Sequence, residues 1–414
     1  MKIKKRNSQN ITANYNLKYF ILYGMIYEFI LRLYKPFVVK FLERIGGSDL
    51  HISLFNSLPG LVMVFTVLPA IFYLRKMDSK KMTSYMILLA RFFVLTYAIV
   101  PFLKPGIQPI VFILITALLS IPTSLYINSF QSLTGELFSS EDRAHALGAK
   151  NKYAVIVTII VVFITGQILA KLPTSEEQRI LFYQLFFVLA FILTFLEIAA
   201  LSKLKPSKTS TDTSESPKIV LKEIFRNKQF LIFVSCSLLF HFGWQMGWPL
   251  FSIYTIKELK ADEGWLALIS LSSMTTMLIG HNYWPKLIRR YGNPTIIAIC
   301  TVGMSLTPLL YIASKDLITL TVMAGFTGVF TSGTLTVLLS SVLEIIPEKN
   351  RIIYMGVYTT STNITLAIAP IIGHYFSSSH SIQFALLMTT IFRLIGGIAF
   401  IIRNRWIKTN GFII

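Results

Sequence analysis

Glu136-Leu-Phe-Ser-Ser-Glu-Asp-Arg143-Ala-His-Ala-Leu-Gly148 is the stretch that decides the fold, because the chain writes it twice. Its echo is Glu344-Ile-Ile-Pro-Glu-Lys-Asn-Arg351-Ile-Ile-Tyr-Met-Gly356, with the glutamate, arginine and glycine each 208 positions further on. Both copies close one apolar run, cross a short charged loop and open the next. A second anchor, Pro36 against Pro249, lies near the far end of the first apolar run of each half, at a slightly longer offset. In a chain of 414 residues this reads as two related halves, each as long as a six-helix membrane domain. Internal duplication of that kind is the sequence mark of a secondary transporter.

The composition fits a membrane protein and little else. Apolar residues make up 54% of the chain and charged residues 14%, and the mean hydropathy is +0.63. A bilayer core of about 30 Å takes roughly 20 apolar residues per crossing helix. Twelve such stretches can be marked: six before the central loop, from 18–41 to 180–201, and six after it, from 228–255 to 382–402. They must be helices, since lipid offers no partner to free backbone N–H and C=O groups. The fold class expected is therefore all-α integral membrane, with 12 transmembrane helices in two pseudosymmetric six-helix halves.

The net charge of +20 is a topology signal. Alternating the loops across the bilayer puts most Lys and Arg on the side of both termini: Lys2 to Arg6, Arg75 to Lys81, Lys203 to Lys228, and Arg403 to Lys408. This positive-inside pattern predicts a multi-pass protein of the plasma or inner cell membrane with both termini in the cytoplasm. No basic run is interleaved with stacking aromatics, which argues against nucleic acid as a partner. Cys236 and Cys300 both fall within spans, so neither a disulfide framework nor a metal pattern is expected. Glu28, Arg32 and Lys35 interrupt the first apolar segment and no small-residue cleavage site follows. The start is read as an uncleaved helix.

The one clear boundary is the central loop. Residues 1–201 form the N-terminal half, 202–226 a cytoplasmic linker, and 227–414 the C-terminal half. The linker core, residues 206–217, is polar and without aromatics, the composition of a disordered tether. The following segment, 218–228, mixes apolar and basic residues and reads as an interfacial helix.

Polar residues inside spans cost free energy, so their positions are informative. The first span carries Gly24, Glu28, Arg32 and Lys35 on one helical face, and the fourth carries Ser120, Ser124, Asn128 and Gln131 at the same spacing. The seventh carries Ser237, His241, Trp244, Gln245 and Trp248; the tenth carries Gly325, Gly328, Ser332 and Thr336. Spans three, six, nine and twelve are more uniformly apolar, with Arg91 and Arg393 as exceptions.

With twelve spans, matching halves and the duplicated Glu/Arg/Gly loops, the chain resembles the major facilitator superfamily. The resemblance implies two six-helix halves around a central cavity lined chiefly by helices 1, 4, 7 and 10. Glu136, Arg143, Glu344 and Arg351 fall in what looks like the family's loop after helices 4 and 10, where they would brace the cytoplasmic gate. The family's loop motif after helix 2 is degenerate: Arg75 stands at its arginine, Leu74 at its aspartate, and Asp78 follows. After helix 8, Arg290 and Gly292 fit while Arg289 replaces the aspartate.

Glu28 and Arg32 form the sharpest functional pair, because a Glu four residues ahead of a basic residue is the favourable helical orientation. The pair is either a structural brace or a proton-coupling carboxylate with its release switch. Capture of Arg32 by an anionic solute would give anion–proton symport. Competition of a cationic or lipophilic solute with the proton for Glu28 would give efflux by exchange. Asn128, Gln131, His241, Trp244, Gln245 and Ser332 complete the expected solute and coupling set; Gly243-x-x-x-Gly247 is a close-approach motif instead. Enzyme motifs are lacking: there is no H-E-x-x-H, G-x-S-x-G or G-x-x-x-x-G-K-[ST]. A monomer is expected, with a small-molecule solute, protons and the bilayer as partners and with no cofactor. The competing reading is a receptor or scaffold that keeps the fold without transport.

Overall fold

The computed structural model describes residues 2–74, 78–206, 217–347 and 351–409. Twelve long helices carry the chain: α1 (Lys2–Arg32), α3 (Asp49–Leu74), α4 (Ser79–Tyr97), α5 (Gln108–Leu137), α6 (Ser140–Lys171), α7 (Glu176–Ser202), α9 (Lys228–Ile253), α10 (Glu263–Tyr291), α11 (Asn293–Ala313), α12 (Leu317–Ile345), α13 (Arg351–Ser379) and α14 (Ile382–Thr409). Two short ones, α2 (Val38–Arg44) and α8 (Pro217–Ile224), accompany them, and there is no strand among the described residues.

Nine of the long helices are apolar enough over their length to cross a bilayer, counting described residues only. The other three, α1, α10 and α13, are as long but interrupted by polar groups: Lys18, Glu28 and Arg32 in α1, His281 and Asn282 in α10, and a Ser/Thr/Asn run in α13. The first expected span is not one helix. Proline at 36 lacks an N–H and clashes with the preceding turn, so α1 stops at Arg32, a 3-10 turn covers Lys35–Phe37, and α2 resumes at Val38. Its counterpart Pro249 is held inside α9, which then widens into a π turn over Tyr254–Glu258.

Internal packing divides the chain into two compact units, residues 1–46 with 69–213, and residues 47–68 with 214–414. The same four pairings recur in both. In the first unit α1 packs on α6 and α7, and α4 on α5 and α7; in the second α9 packs on α13 and α14, and α11 on α12 and α14. The duplication read in two loops is thus a duplication of architecture. The expected tether falls on residues 207–216, outside the described residues; beyond it α8 buries Val220 and Ile224 and packs on α13.

Helices in lipid gain nothing from excluding water from one another, so close contact and side-chain hydrogen bonds hold them. In the first unit Phe41, Tyr97, Phe112, Tyr183 and Phe187 pack as tilted and edge-on rings with centroids 4.4–6.3 Å apart. Such pairs contribute about 0.5–1.5 kcal/mol each beyond their area. In the second unit small residues let backbones touch. A Cβ on Gly243 would stand 2.5 Å from the Arg393 nitrogen, and one on Gly396 would stand 2.4 Å from the Phe240 Cα. The glycine motif of α9 is the crossing point with α14.

Candidate functional site

In the first unit the polar face of α1 lies against α6. Arg32 ends the helix, where a cation suits the C-terminal dipole, and its Nη2 lies 2.7 Å from Glu28 Oε2. Arg32 Nε donates to the same oxygen at 2.9 Å and Thr158 Oγ1 from α6 does so at 3.2 Å. Three donors therefore converge on Oε2, and both side chains of the pair are 22% exposed. One turn back, Gly24 leaves room for the stem of Lys150, whose Nζ sits over the rings of Phe20 (5.6 Å) and Phe130 (5.1 Å). Glu28 thus shares the α1–α6 face with two cations. Lys150, Ala154 and Thr158 follow the i, i+4, i+8 spacing of one helix face, which the sequence analysis did not single out.

A second charged pair lies deeper. Arg91 of α4 and Glu197 of α7 are both buried, with Nη2 3.6 Å from Oε2. Arg91 Nη1 donates to the Tyr34 hydroxyl at 3.0 Å, and the guanidinium lies 5.5 Å from the centre of the Tyr27 ring. Nothing in the sequence pairs residues 91 and 197, which sit on separate helices far apart in the chain. On α5, Asn128 donates to the Ser124 carbonyl at 2.9 Å and is half-buried, while Gln131 is exposed.

The second unit has a polar face on α9. His241 Nδ1 donates to the Ser237 carbonyl at 2.8 Å, which leaves Nε2 as an acceptor. Ser237 Oγ lies 2.9 Å from the Tyr358 hydroxyl of α13. One turn on, Gln245 accepts from Thr365 Oγ1 at 2.6 Å and donates to the Thr362 carbonyl at 3.3 Å. Trp244 is half-buried between Phe240 and Trp248. The face of α9 is thus tied to α13 by its seryl and glutaminyl groups. The α12 stripe is a helix seam in this structure: Gly325, Gly328 and Ser332 pack on Ser272, Thr276 and Gly280 of α10. Ser332 is fully buried there and donates to the Val329 carbonyl at 2.7 Å.

Arg393, fully buried on α14, pairs with no carboxylate among the described residues; it bonds backbone. Nη1 donates to the Met304 carbonyl at 2.8 Å, and Nε and Nη2 to the Gly243 and Trp244 carbonyls at 3.3 Å each. The Met304 carbonyl is free because its normal helical partner, residue 308, is proline. Such a freed carbonyl needs a replacement partner in lipid, and Arg393 supplies it.

The duplicated glutamates make equivalent contacts. Glu136, at the end of α5, accepts from Ser79 Oγ at 2.7 Å on the first residue of α4. Glu344, at the end of α12, accepts from Asn293 Nδ2 at 2.8 Å on the first residue of α11. Each carboxylate meets the positive end of a neighbouring helix dipole. Asp78 caps α4 by accepting from the Lys81 amide at 2.8 Å. Arg143 Nη2 reaches the Gly135 carbonyl at 3.4 Å, Arg290 lies over the Tyr291 ring, and Arg351 opens α13. Arg75 falls outside the described residues.

Two units that repeat the same helix pairings, with charged groups inside their spans, define a class, the secondary transporters built on internal repeats. The sequence profile described as Major Facilitator Superfamily matches residues 20–242 and 233–408, and the chain belongs to that family. It is a multi-pass membrane transporter. No curated protein sequence matches it. Among solved structures it is similar to the nucleoside transporter NupG, at 14% identity over 93% of this chain and 98% of that one, with a TM-score of 0.68. It is also similar to a bacterial homolog of the human lysosomal transporter Spinster, at 10% identity over 95% and 97%, with a TM-score of 0.67. Both carry the likeness of fold.

Proposed function

We propose that this transporter moves a small anionic or amphipathic solute by proton-coupled alternating access, with Glu28 as the coupling carboxylate. The observation that carries the reading is the Glu28–Arg32 pair at 2.7 Å, part exposed, with three donors gathered on one carboxylate oxygen. The other oxygen is the place for a proton. An anion that draws the guanidinium away leaves the carboxylate without its counter-charge, and a proton restores neutrality. Lys150 on the same face adds a second cation, which favours an anionic group on the solute over a cationic one. Release of the solute reverses both steps. The cell membrane, both termini in the cytoplasm and a single chain as the working unit complete the reading.

The test has two stages. A thermal-shift screen of purified protein against metabolites and drugs at two pH values identifies a solute. Flux in proteoliposomes is then measured for wild type and Glu28→Gln. Loss of pH-gradient-driven accumulation with counterflow retained is the expected result; unchanged gradient-driven flux removes Glu28 from the mechanism. Saturable binding without any flux would make the protein a receptor.

A further inference from the structure

We propose that the outward stripe of α8 and the turn after it, Lys222, Phe225 and Arg226, is a docking site for an anionic phospholipid of the leaflet it faces. The headgroup phosphate lies between the two cations and the Phe225 ring among the acyl chains. The inference goes beyond transport and holds whatever solute the protein carries.

The segment has two faces, and its sequence explains both. Val220 and Ile224 recur at the i, i+4 spacing of one helix face; both are fully buried, and α8 packs on α13. Lys222 falls on the opposite side. Phe225 and Arg226 stand three and four positions further on, so the three share one stripe. All three are exposed, Phe225 by 67%. The stripe runs past the end of α8 because the turn is hydrogen-bonded. The Phe225 amide donates to the Leu221 carbonyl at 3.1 Å and the Arg226 amide to the Glu223 carbonyl at 3.0 Å. Asn227 then caps α9 by accepting from the Phe230 amide at 3.1 Å. The turn thus fixes the place of an aromatic ring that the rest of the unit leaves uncovered.

Lipid is what lies within reach of that ring. Lys228, three residues on, is the first residue of a helix apolar enough to cross a bilayer, and three residues of helix rise only about 4.5 Å. Interfacial segments sink about 5–10 Å into the boundary between headgroups and chains. Phe225 therefore stands where a ring meets acyl chains and its flanking cations meet phosphates.

Charge selects the lipid. Lys222, Arg226 and Lys228 face only one acid in the same segment, the exposed Glu223, which lies to one side of the stripe. A zwitterionic headgroup brings no net charge to this excess of cations; phosphatidylglycerol brings one. An acidic protein would answer the charge as well, but it would have to reach a ring held at the start of a membrane span.

The experiment places the photoreactive residue p-benzoylphenylalanine at position 225 of the full chain, which keeps an aromatic ring there. The protein is illuminated in phosphatidylcholine vesicles that hold a minority of phosphatidylglycerol, and lipid adducts are counted by mass spectrometry. Expected is capture of phosphatidylglycerol well above its share of the lipid. Lys222→Gln and Arg226→Gln should each reduce that preference about fivefold. Glu223→Gln should raise it, a gain that misfolding cannot mimic, and all three variants should melt with wild type. Capture that merely follows the lipid composition would overturn the proposal, leaving apolar insertion alone. So would the absence of lipid adducts, or adducts to a co-purifying protein in their place. Loss of the preference on adding glycerol 3-phosphate to the buffer would also overturn it, because that marks a site for soluble phosphate.

Discussion

Arg393 shows how a charge can live inside a bilayer with no carboxylate bonded to it among the described residues. Its three donors fill three backbone carbonyls, one of them orphaned by Pro308. Replacing it with methionine keeps much of the volume and removes every donor. Arg393→Met should lower stability, at about 1–3 kcal/mol for each carbonyl left without a partner, read as a fall in melting temperature in detergent. Its flux per folded molecule should survive, which separates it from Glu28→Gln. Side-chain chemistry was legible in part. The Glu28–Arg32 spacing on one helix gave that pair away, and the structure places it as a bonded pair. No local pattern links Glu197 to Arg91. Pairings between distant helices leave no mark in a single sequence.

At the level of the helix, glycines and caps set what can be changed. A methyl group on Gly243 would stand 2.5 Å from the Arg393 nitrogen and 2.8 Å from the Phe392 carbonyl carbon, with backbone on both sides. Gly243→Ala should force α14 off α9 and cost about 1–3 kcal/mol as an overpacked contact; expression and melting temperature would show it. Asp316 tests a terminus. It accepts from the Thr319 hydroxyl at 2.6 Å and amide at 2.8 Å, and these bonds hold its carboxyl below the usual carboxylate range. The depressed value means that the cap is fully present above the ordinary pKa of an aspartate and is lost as pH falls through the folded one. Acidification should therefore raise amide exchange in the first turn of α12 in wild type but not in Asp316→Ala. Nine of the expected spans appear as single helices, and in the third α4 ends at Tyr97 before a 3-10 turn over Val100–Phe102. The break at Pro36 and the π turn after Pro249 were not anticipated, although both prolines had been singled out as repeat markers. Their effect on helix geometry depends on which neighbours can fill the freed carbonyls.

Over the whole molecule, the duplication is the feature that the sequence displayed most fully. Glu136 and Glu344 were matched by offset alone, and each proves to bond the first residue of the helix two places before α6 or α13. The equivalence predicts equal consequences: Glu136→Gln and Glu344→Gln should lower stability by similar amounts, within about 0.5 kcal/mol of each other, and should add in the double variant. The charge asymmetry predicts sidedness. Single cysteines placed at position 8 and in the 207–216 segment should both be labelled by a membrane-impermeant maleimide only from the cytoplasmic side. The α12 stripe shows where pattern reading misleads on purpose. A line of Gly, Gly and Ser has the same spacing whether it faces a solute or a neighbouring helix, and here it is filled by α10.

One guanidinium joins α9, α11 and α14 by threading three main chains at a single depth. Parting α11 from α14 would strand the Met304 oxygen in oil, so those two helices have to travel as a solid body during a transport cycle. Spin labels on α11 and α14 should hold one separation whichever way the protein faces.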